Sequence, residues 1–179
     1  NFIIKNAKIE TDKGLSFHYL GNAYLISGKL ELAQKMFETE NKIFSNSKDQ
    51  SDEIKNYLAA SFASLGIVAS QQSNYAKALD FHFKAKAIFE ETKNIEKQTA
   101  IENNIAIEYQ SLNKFDKANV HFLKASKLNT KNYISNTLLF TNMGKNYLKK
   151  NDFQNTYVYL NLAKKQQTTT ENLYTIAEL

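Results

Sequence analysis

The sequence predicts an all-α fold in which helical hairpins follow one another along the chain. The first observation is a repeated spacing: a small residue is followed twelve positions later by alanine or threonine, and this interval recurs four times. The second is the scarcity of helix-breaking residues, since the 179 residues include no proline and only five glycines. A repeat of this length indicates a solenoid of tandem helix pairs.

Each copy of the spacing predicts one hairpin of two helices. The small residues allow the helices to approach closely, because a larger side chain would clash there. The pairs are Gly21 and Ala33, Gly66 and Ala78, Ala106 and Ala118, and Gly144 and Thr156. They place repeats at about 14–50, 51–93, 94–130 and 131–168 within a single domain, 1–179, with partial repeats at 1–13 and 169–179.

Short polar turns are predicted between the two helices of each hairpin, because their residue types tolerate turn conformations. The turns are Ser27–Lys29, Ser73–Asn74, Asn113–Lys114 and Asn151–Asp152. An apolar residue follows each turn and is expected to fill the gap between neighbouring hairpins. These residues are Leu30, Tyr75, Phe115 and Phe153.

The composition narrows the possible functions. All 23 positive side chains are lysine, and arginine, which forms bidentate contacts with phosphate and guanine, is absent. Nucleic-acid binding by this segment is therefore disfavoured. Residues 114–165 contain ten lysines and two aspartates, an excess that is compatible with an acidic partner, although simple solvation of a lysine-covered helix surface is the commoner interpretation. The apolar stretches are too short for membrane insertion, and the absence of cysteine leaves the compartment open, cytoplasmic or periplasmic.

No motif for catalysis, a cofactor or a metal ion is found. The three histidines, His18, His82 and His121, are scattered over three repeats, and no nucleophile elbow or phosphate loop occurs. His82 occupies the position that Phe37 and Phe122 hold in other repeats, so it is expected to be packed in the interior. The sequence predicts a protein that is not an enzyme.

The repeated residues resemble the tetratricopeptide repeat. The first copy reads Leu20, Gly21, Tyr24, Ala33 and Phe37, which matches the family's pattern of small and aromatic positions. The resemblance covers about residues 14–166. The copies are 45, 40 and 38 residues apart and lack the closing proline, whereas the standard unit has about 34 residues. Such extended repeats of about 40 residues are similar to those of bacterial signalling proteins.

The resemblance implies a right-handed superhelix, an α-solenoid, whose concave surface is lined by the first helix of each hairpin. The family's inward-facing positions give these candidate peptide-binding residues: His18, Asn22, Asn103, Gln110, Asn142, Lys145 and Lys149. Asparagine side chains suit an extended peptide backbone, although simple hydration is the alternative in a chain with 21 asparagines. Replacing Asn22 and Asn103 with alanine is expected to weaken binding without lowering the melting temperature.

Two further details of the family bear on the ligand. The carboxylate clamp for chaperone tails needs lysines where this chain has His18 and Asn103, so that ligand is not expected. Lys145 and Lys149 lie one turn apart on one face, a spacing that suits an acidic side chain, and plain solvation of both lysines is the favoured alternative.

The predicted function is the binding of a protein or peptide, or of other domains of the same polypeptide. The resemblance implies the sensory or regulatory part of a larger bacterial signalling protein, with a histidine kinase or a helix-turn-helix transcription regulator. A chain that starts at Asn1 is expected to be part of such a longer polypeptide. The alternatives are a passive assembly scaffold and end-to-end self-association through Phe2, Ile3, Leu173 and Tyr174.

Overall fold

A computed structural model describes residues 2–131 and 134–177, with side chains over 9–131 and 134–166. The described residues form eight α-helices and no strand, so the predicted all-α class is confirmed. The helices are α1 (Phe2–Ile26), α2 (Leu30–Ser45), α3 (Asp52–Gln71), α4 (Tyr75–Glu91), α5 (Ile95–Ser111), α6 (Phe115–Leu128), α7 (Asn136–Lys149) and α8 (Phe153–Ala177). None of the described helices is long and apolar enough to cross a membrane.

The first compact unit is Asn1–Ile95 and contains the hairpins α1–α2 and α3–α4. Its core cluster joins α2 to α3 and consists of Ala33, Phe37, Leu65 and Val68. Across the same junction, the side-chain amide of Asn41 donates a hydrogen bond of 2.8 Å to the hydroxyl of Ser61. The second helix of one hairpin thus packs on the first helix of the next.

The second compact unit is Glu96–Leu179 and contains the hairpins α5–α6 and α7–α8. Its core cluster joins α5, α6 and α7 and consists of Ala106, Ala118, Phe122, Ala125, Leu139 and Met143. Asn146 of α7 is fully buried and donates to the backbone carbonyl of Phe115 at 3.0 Å and to the side chain of Asn119 at 2.6 Å. The junction between α6 and α7 therefore combines apolar packing with buried hydrogen bonds.

The small residues of the repeat lie where the helices of a hairpin cross. A Cβ atom added to Gly66 would lie 2.3 Å from the ring of His82, and one added to Gly21 would lie 2.5 Å from the ring of Phe37. These separations are far shorter than carbon–carbon contact distances allow. The predicted close approach is confirmed, and His82 is fully buried as expected.

Each hairpin turn contains one residue with left-handed backbone conformation. These residues are Gly28 (φ 70°), Ser73 (φ 60°), Asn113 (φ 57°) and Asn151 (φ 62°). In each turn the next residue donates its backbone N–H to the carbonyl five positions earlier, as Asn74 does to Ala69 at 2.8 Å. This bond satisfies a carbonyl at the end of the first helix. Lys93 (φ 53°) adopts the same conformation after α4.

Two features differ from the sequence-based expectation. The boundaries predicted after residues 13 and 168 fall inside α1 and α8, which run on without a break. Gly14 lies within α1, where an added Cβ atom would lie 2.4 Å from the ring of Phe44, so this glycine allows close packing of α1 on α2. Phe153 does not fill a gap between hairpins: it is 66% exposed, because no described helix follows α8 to cover it.

Candidate functional site

The predicted peptide-binding residues fall into two groups, one in each unit. His18 and Asn22 lie on α1 in the first unit. The second unit holds the larger group on α5 and α7, namely Asn103, Gln110, Asn142, Lys145 and Lys149.

His18 is bonded inside its own hairpin. Its Nδ1 lies 3.1 Å from both carboxylate oxygens of Glu40, a residue of α2 that is only 1% exposed. Burial raises the pKa of Glu40 above its ordinary value of 4.5, while the hydrogen bond and charge of His18 oppose that rise. One ring nitrogen of His18 is thus committed to the hairpin. Asn22, one turn further along α1, is half-buried.

The amide side chains of α5 and α7 bond to one another. Asn142 donates from Nδ2 to Oδ1 of Asn103 at 3.2 Å. Gln110 donates from Nε2 to the backbone carbonyl of Asn142 and to Oδ1 of Asn146, each at 3.4 Å. Asn103 is 6% exposed, and its bond to Asn142 helps to hold α7 in place. The sequence predicts that replacing Asn103 with alanine leaves the melting temperature unchanged. Because Asn103 bonds to α7, we instead expect this substitution to lower the melting temperature.

The surface of α7 around Asn142 is accessible. Asn142 is half-buried, and its bond to Asn103 leaves the side-chain carbonyl oxygen as an acceptor. Lys145 and Lys149 follow Asn142 at helical spacing, and both are exposed. Leu138 lies one turn before Asn142, and its side chain is 51% exposed. We call Leu138, Asn142, Lys145 and Lys149 the α7 face.

The two lysines of the α7 face differ from Lys150, the next residue in the sequence, in whether they form an ion pair. Lys150 forms an ion pair with Asp116 at 2.5 Å, and the attraction of that carboxylate raises the pKa of Lys150. Among the described residues, Lys145 and Lys149 form no such ion pair. Their ammonium groups are therefore available to carboxylates of a ligand.

Sequence reasoning missed two buried carboxylates that are bonded to histidines. Besides Glu40 with His18, Glu102 of α5 is 3% exposed, and its Oε2 lies 2.5 Å from Nδ1 of His121 on α6. Both glutamates lie among apolar positions, Glu40 three residues after Phe37, and this placement was the available signal. Among the described residues, no group of three potential ligands could hold a metal ion.

A groove lies apart from the predicted residues, between α1 and α2. It has a volume of about 330 Å³ and is lined by Glu10, Lys13, Phe17, Thr39, Lys42, Ile43 and Asn46. None of the seven predicted peptide-binding residues lines it, and its charged side chains point to no particular ligand.

Comparison with known proteins identifies the fold. No protein-family model and no curated protein matches the sequence. Aspartyl phosphate phosphatase F from Bacillus subtilis is 13% identical with a TM-score of 0.81, over 93% of this chain and 43% of that one. BtubC from P. vanneervenii is 18% identical with a TM-score of 0.75, over 87% of this chain and 63% of that one.

A third solved structure is YrrB, described as a TPR protein with an unusual peptide-binding site. It is 17% identical with a TM-score of 0.61, over 99% of this chain and 81% of that one. The chain spans less than two thirds of the length of BtubC and of the phosphatase. These likenesses confirm the predicted tetratricopeptide-like solenoid at the level of the fold.

Proposed function

We propose that this tetratricopeptide-like chain is a non-catalytic module that binds an acidic peptide segment on the α7 face. The segment belongs to another protein or to another domain of the same polypeptide. The observation that carries the proposal is the pair of exposed lysines, Lys145 and Lys149, beside the accessible carbonyl oxygen of Asn142.

The chemistry of the α7 face suits an extended acidic peptide. The Asn142 carbonyl accepts a backbone N–H, the two ammonium groups pair with carboxylates, and Leu138 covers an apolar side chain. Exposed ion pairs contribute only about 0–1 kcal/mol each, so the expected affinity is modest. Salt screens such pairs, and binding should weaken as ionic strength rises.

Two further observations support peptide binding. The segment 114–165, which includes the α7 face, has ten lysines and two aspartates, and this excess attracts acidic partners. YrrB, which shares the fold, is described as having a peptide-binding site. His18, Asn22 and Asn103 remain predictions as direct ligand contacts, and we assign Asn103 the role of positioning Asn142.

A direct test uses fluorescein-labelled peptide pools and fluorescence anisotropy. One pool consists of random decapeptides enriched in Asp and Glu, and the other carries Asn and Gln at the same positions. Wild-type protein is expected to bind the acidic pool, and Lys145→Gln with Lys149→Gln to weaken that binding about tenfold. The matched control is Lys124→Gln with Lys127→Gln, two exposed lysines of α6. Equal binding of both pools, or equal loss in the control, contradicts the proposal.

At the level of the whole protein, we assign the module to the regulatory part of a larger bacterial signalling protein. The phosphatase that shares the fold is more than twice as long as the matched part, which supports an arrangement with further domains. A histidine kinase or a helix-turn-helix regulator in the same polypeptide would fit this role. A passive scaffold is the alternative, and the complete open reading frame separates the two, because a polypeptide without an output domain contradicts the regulatory role.

A further inference from the structure

Amide side chains connect α7 to α5 and α6 within the second unit. This amide network consists of Asn103, Gln110, Asn119, Asn142 and Asn146. Asn146 lies at its centre and is fully buried, so its side chain does not contact a ligand. Asn146 directly follows Lys145 and lies three residues before Lys149, the two lysines of the α7 face. The network therefore reaches the α7 face from the interior of the unit.

The hydrogen bonds of Asn146 fix both the position and the orientation of its side chain. Its Nδ2 donates to the backbone carbonyl of Phe115 at 3.0 Å and to Oδ1 of Asn119 at 2.6 Å. Its Oδ1 accepts from Nε2 of Gln110 at 3.4 Å, and the same Nε2 lies 3.4 Å from the backbone carbonyl of Asn142. A backbone carbonyl only accepts, so the amino group of Asn146 faces α6 and its carbonyl oxygen faces α5. Bonds to two neighbouring helices therefore hold α7 at this point.

The equivalent junction of the first unit is apolar at these positions. In the register of the repeat, Asn146 corresponds to Val68 and Gln110 corresponds to Leu25. Val68 is 1% exposed and belongs to the core cluster of that unit, against which Leu25 packs. The repeat thus accepts an apolar pair where the second unit has two amides. Packing of the helices into a hairpin junction does not require the amides.

Directional hydrogen bonds restrict the rotation of a helix more than apolar contacts do. Apolar burial is not directional, so it tolerates small rotations of a helix about its axis. A buried amide that loses its partners is costly, so a network of such groups selects one arrangement of the helices. The side chains of one helix turn together, and a rotation of α7 that breaks the bonds of Asn146 also changes the direction of Lys145 and Lys149.

We infer that Asn146 is a positioning residue for peptide binding, whose bonds to α5 and α6 hold α7 at the rotation that presents Lys145 and Lys149 to an acidic peptide. This inference rests on the proposed function of the α7 face. The ion pair between Lys150 and Asp116 joins α7 to α6 nearby, but both of its side chains are exposed, and such pairs contribute little. The direction of the two lysines therefore depends mainly on a residue that does not contact the ligand.

The test introduces the apolar pair of the first unit, in the variant Gln110→Leu with Asn146→Val. Its melting temperature should stay close to that of the wild type, because Leu25 and Val68 pack in the same register. Its affinity for the acidic decapeptide pool, measured by fluorescence anisotropy, should fall about fivefold. Binding should also depend less on ionic strength, because the two lysines no longer act together on the ligand. A loss of affinity without a loss of stability distinguishes positioning from a purely structural role.

Single variants separate positioning from direct contact with the peptide. Gln110 is half-buried and is itself a predicted ligand contact, whereas Asn146 is fully buried. Asn146→Val alone is therefore expected to weaken binding, at a temperature where circular dichroism shows the variant to be folded. The matched control is Asn41→Ala with Ser61→Ala, which removes a hydrogen bond between α2 and α3 in the first unit and should leave binding unchanged.

Three results would overturn the inference and leave the proposed function standing. They are a double variant that binds as tightly as the wild type with the same salt dependence, a loss of affinity confined to Gln110→Leu, and a control that weakens binding equally. If the wild type itself does not bind the acidic pool, the proposed function of the α7 face fails, and the role of Asn146 fails with it. The affinity of the wild type thus tells the two failures apart.

Discussion

A buried carboxylate bonded to a histidine recurs in both units, as Glu40 with His18 and Glu102 with His121. In the first pair the glutamate is on the second helix of its hairpin, and in the other pair it is on the first helix. Each contact fastens the two helices of a hairpin together. Removing one partner would leave a polar group buried without its hydrogen bond, which costs about 1–3 kcal/mol.

The raised pKa of Glu40 makes the stability of the chain depend on pH. The pKa of Glu40 is higher in the folded state than the ordinary value of 4.5, so the folded state binds this proton more tightly than the unfolded state does. The free energy of unfolding is therefore highest below pH 4.5 with respect to this group, and it falls as the pH rises through the folded pKa. Urea unfolding of wild type and Glu40→Gln, at a series of pH values from below 4.5 upward, measures how the free energy of unfolding depends on pH.

The difference between the two proteins isolates Glu40 from other titrating groups. Glutamine cannot ionise, so the stability of Glu40→Gln relative to wild type is expected to increase as the pH rises. A difference that stays constant with pH would show that the carboxyl titrates alike in both states.

Steric packing at Gly66 gives a second prediction at the residue scale. Gly66→Ala places a Cβ 2.3 Å from the buried ring of His82, so the two helices must shift apart. The expected loss is about 2 kcal/mol of unfolding free energy, despite the better helix propensity of alanine. Gln71→Ala, at an exposed position of the same helix, is the control. Thermal melts of both variants against wild type provide the measurement.

Sequence reasoning succeeded at the residue scale where the role depended on size. Gly21 and Gly66 recur in a fixed register, and only close helix packing explains a small residue there. The buried pair of Glu40 and His18 was missed because its partners are 22 positions apart. Their contact depends on how two helices are rotated, which a single-residue pattern does not encode.

At the scale of elements, the turns resemble one another although their residues differ. A left-handed conformation suits Gly28 and is tolerated by Asn113 and Asn151, whereas serine and lysine adopt it at a cost. The turns with asparagine, serine and glycine were predictable from residue type. The left-handed Lys93 was not, because lysine has no preference for turns.

Exchanging residues between equivalent turns tests this account. Ser73→Gly should raise the free energy of unfolding by up to about 1 kcal/mol, because glycine adopts φ 60° without strain. Gly28→Ala, at φ 70°, should lower it by about 1 kcal/mol. Urea denaturation midpoints for the two variants compare them directly, and shifts of the same sign would contradict the explanation.

At the scale of the whole molecule, each unit has a core cluster of its own, with Phe37 in the first and Phe122 in the second. The repeated spacing predicted this solenoid class because every repeat must bury one face against a neighbour. The surface residues that would select a ligand do not repeat along the chain, so the same spacing does not predict the ligand. Which amide side chains stay accessible on the α7 face depends on which of them form hydrogen bonds between α5 and α7. Only the packing of these two helices shows this, as in the bond from Asn142 to Asn103.

Separate cores predict separate responses to large-to-small substitutions. Phe122→Ala removes a fully buried ring and should cost about 3–5 kcal/mol. Hydrogen exchange monitored by mass spectrometry should show faster exchange mainly in α5–α8, whereas Phe37→Ala should act mainly on α1–α4. Uniform acceleration along the chain in both variants would show that the molecule opens as one cooperative body.

The short turns between helices have a consequence for folding kinetics. Within each unit, the described helices pack on helices that are consecutive or next but one along the chain, so little loop entropy must be lost before these contacts form. The chain also contains no proline, so refolding has no prolyl isomerisation step, which takes tens of seconds. Stopped-flow refolding is therefore expected to finish within milliseconds, with no slow phase.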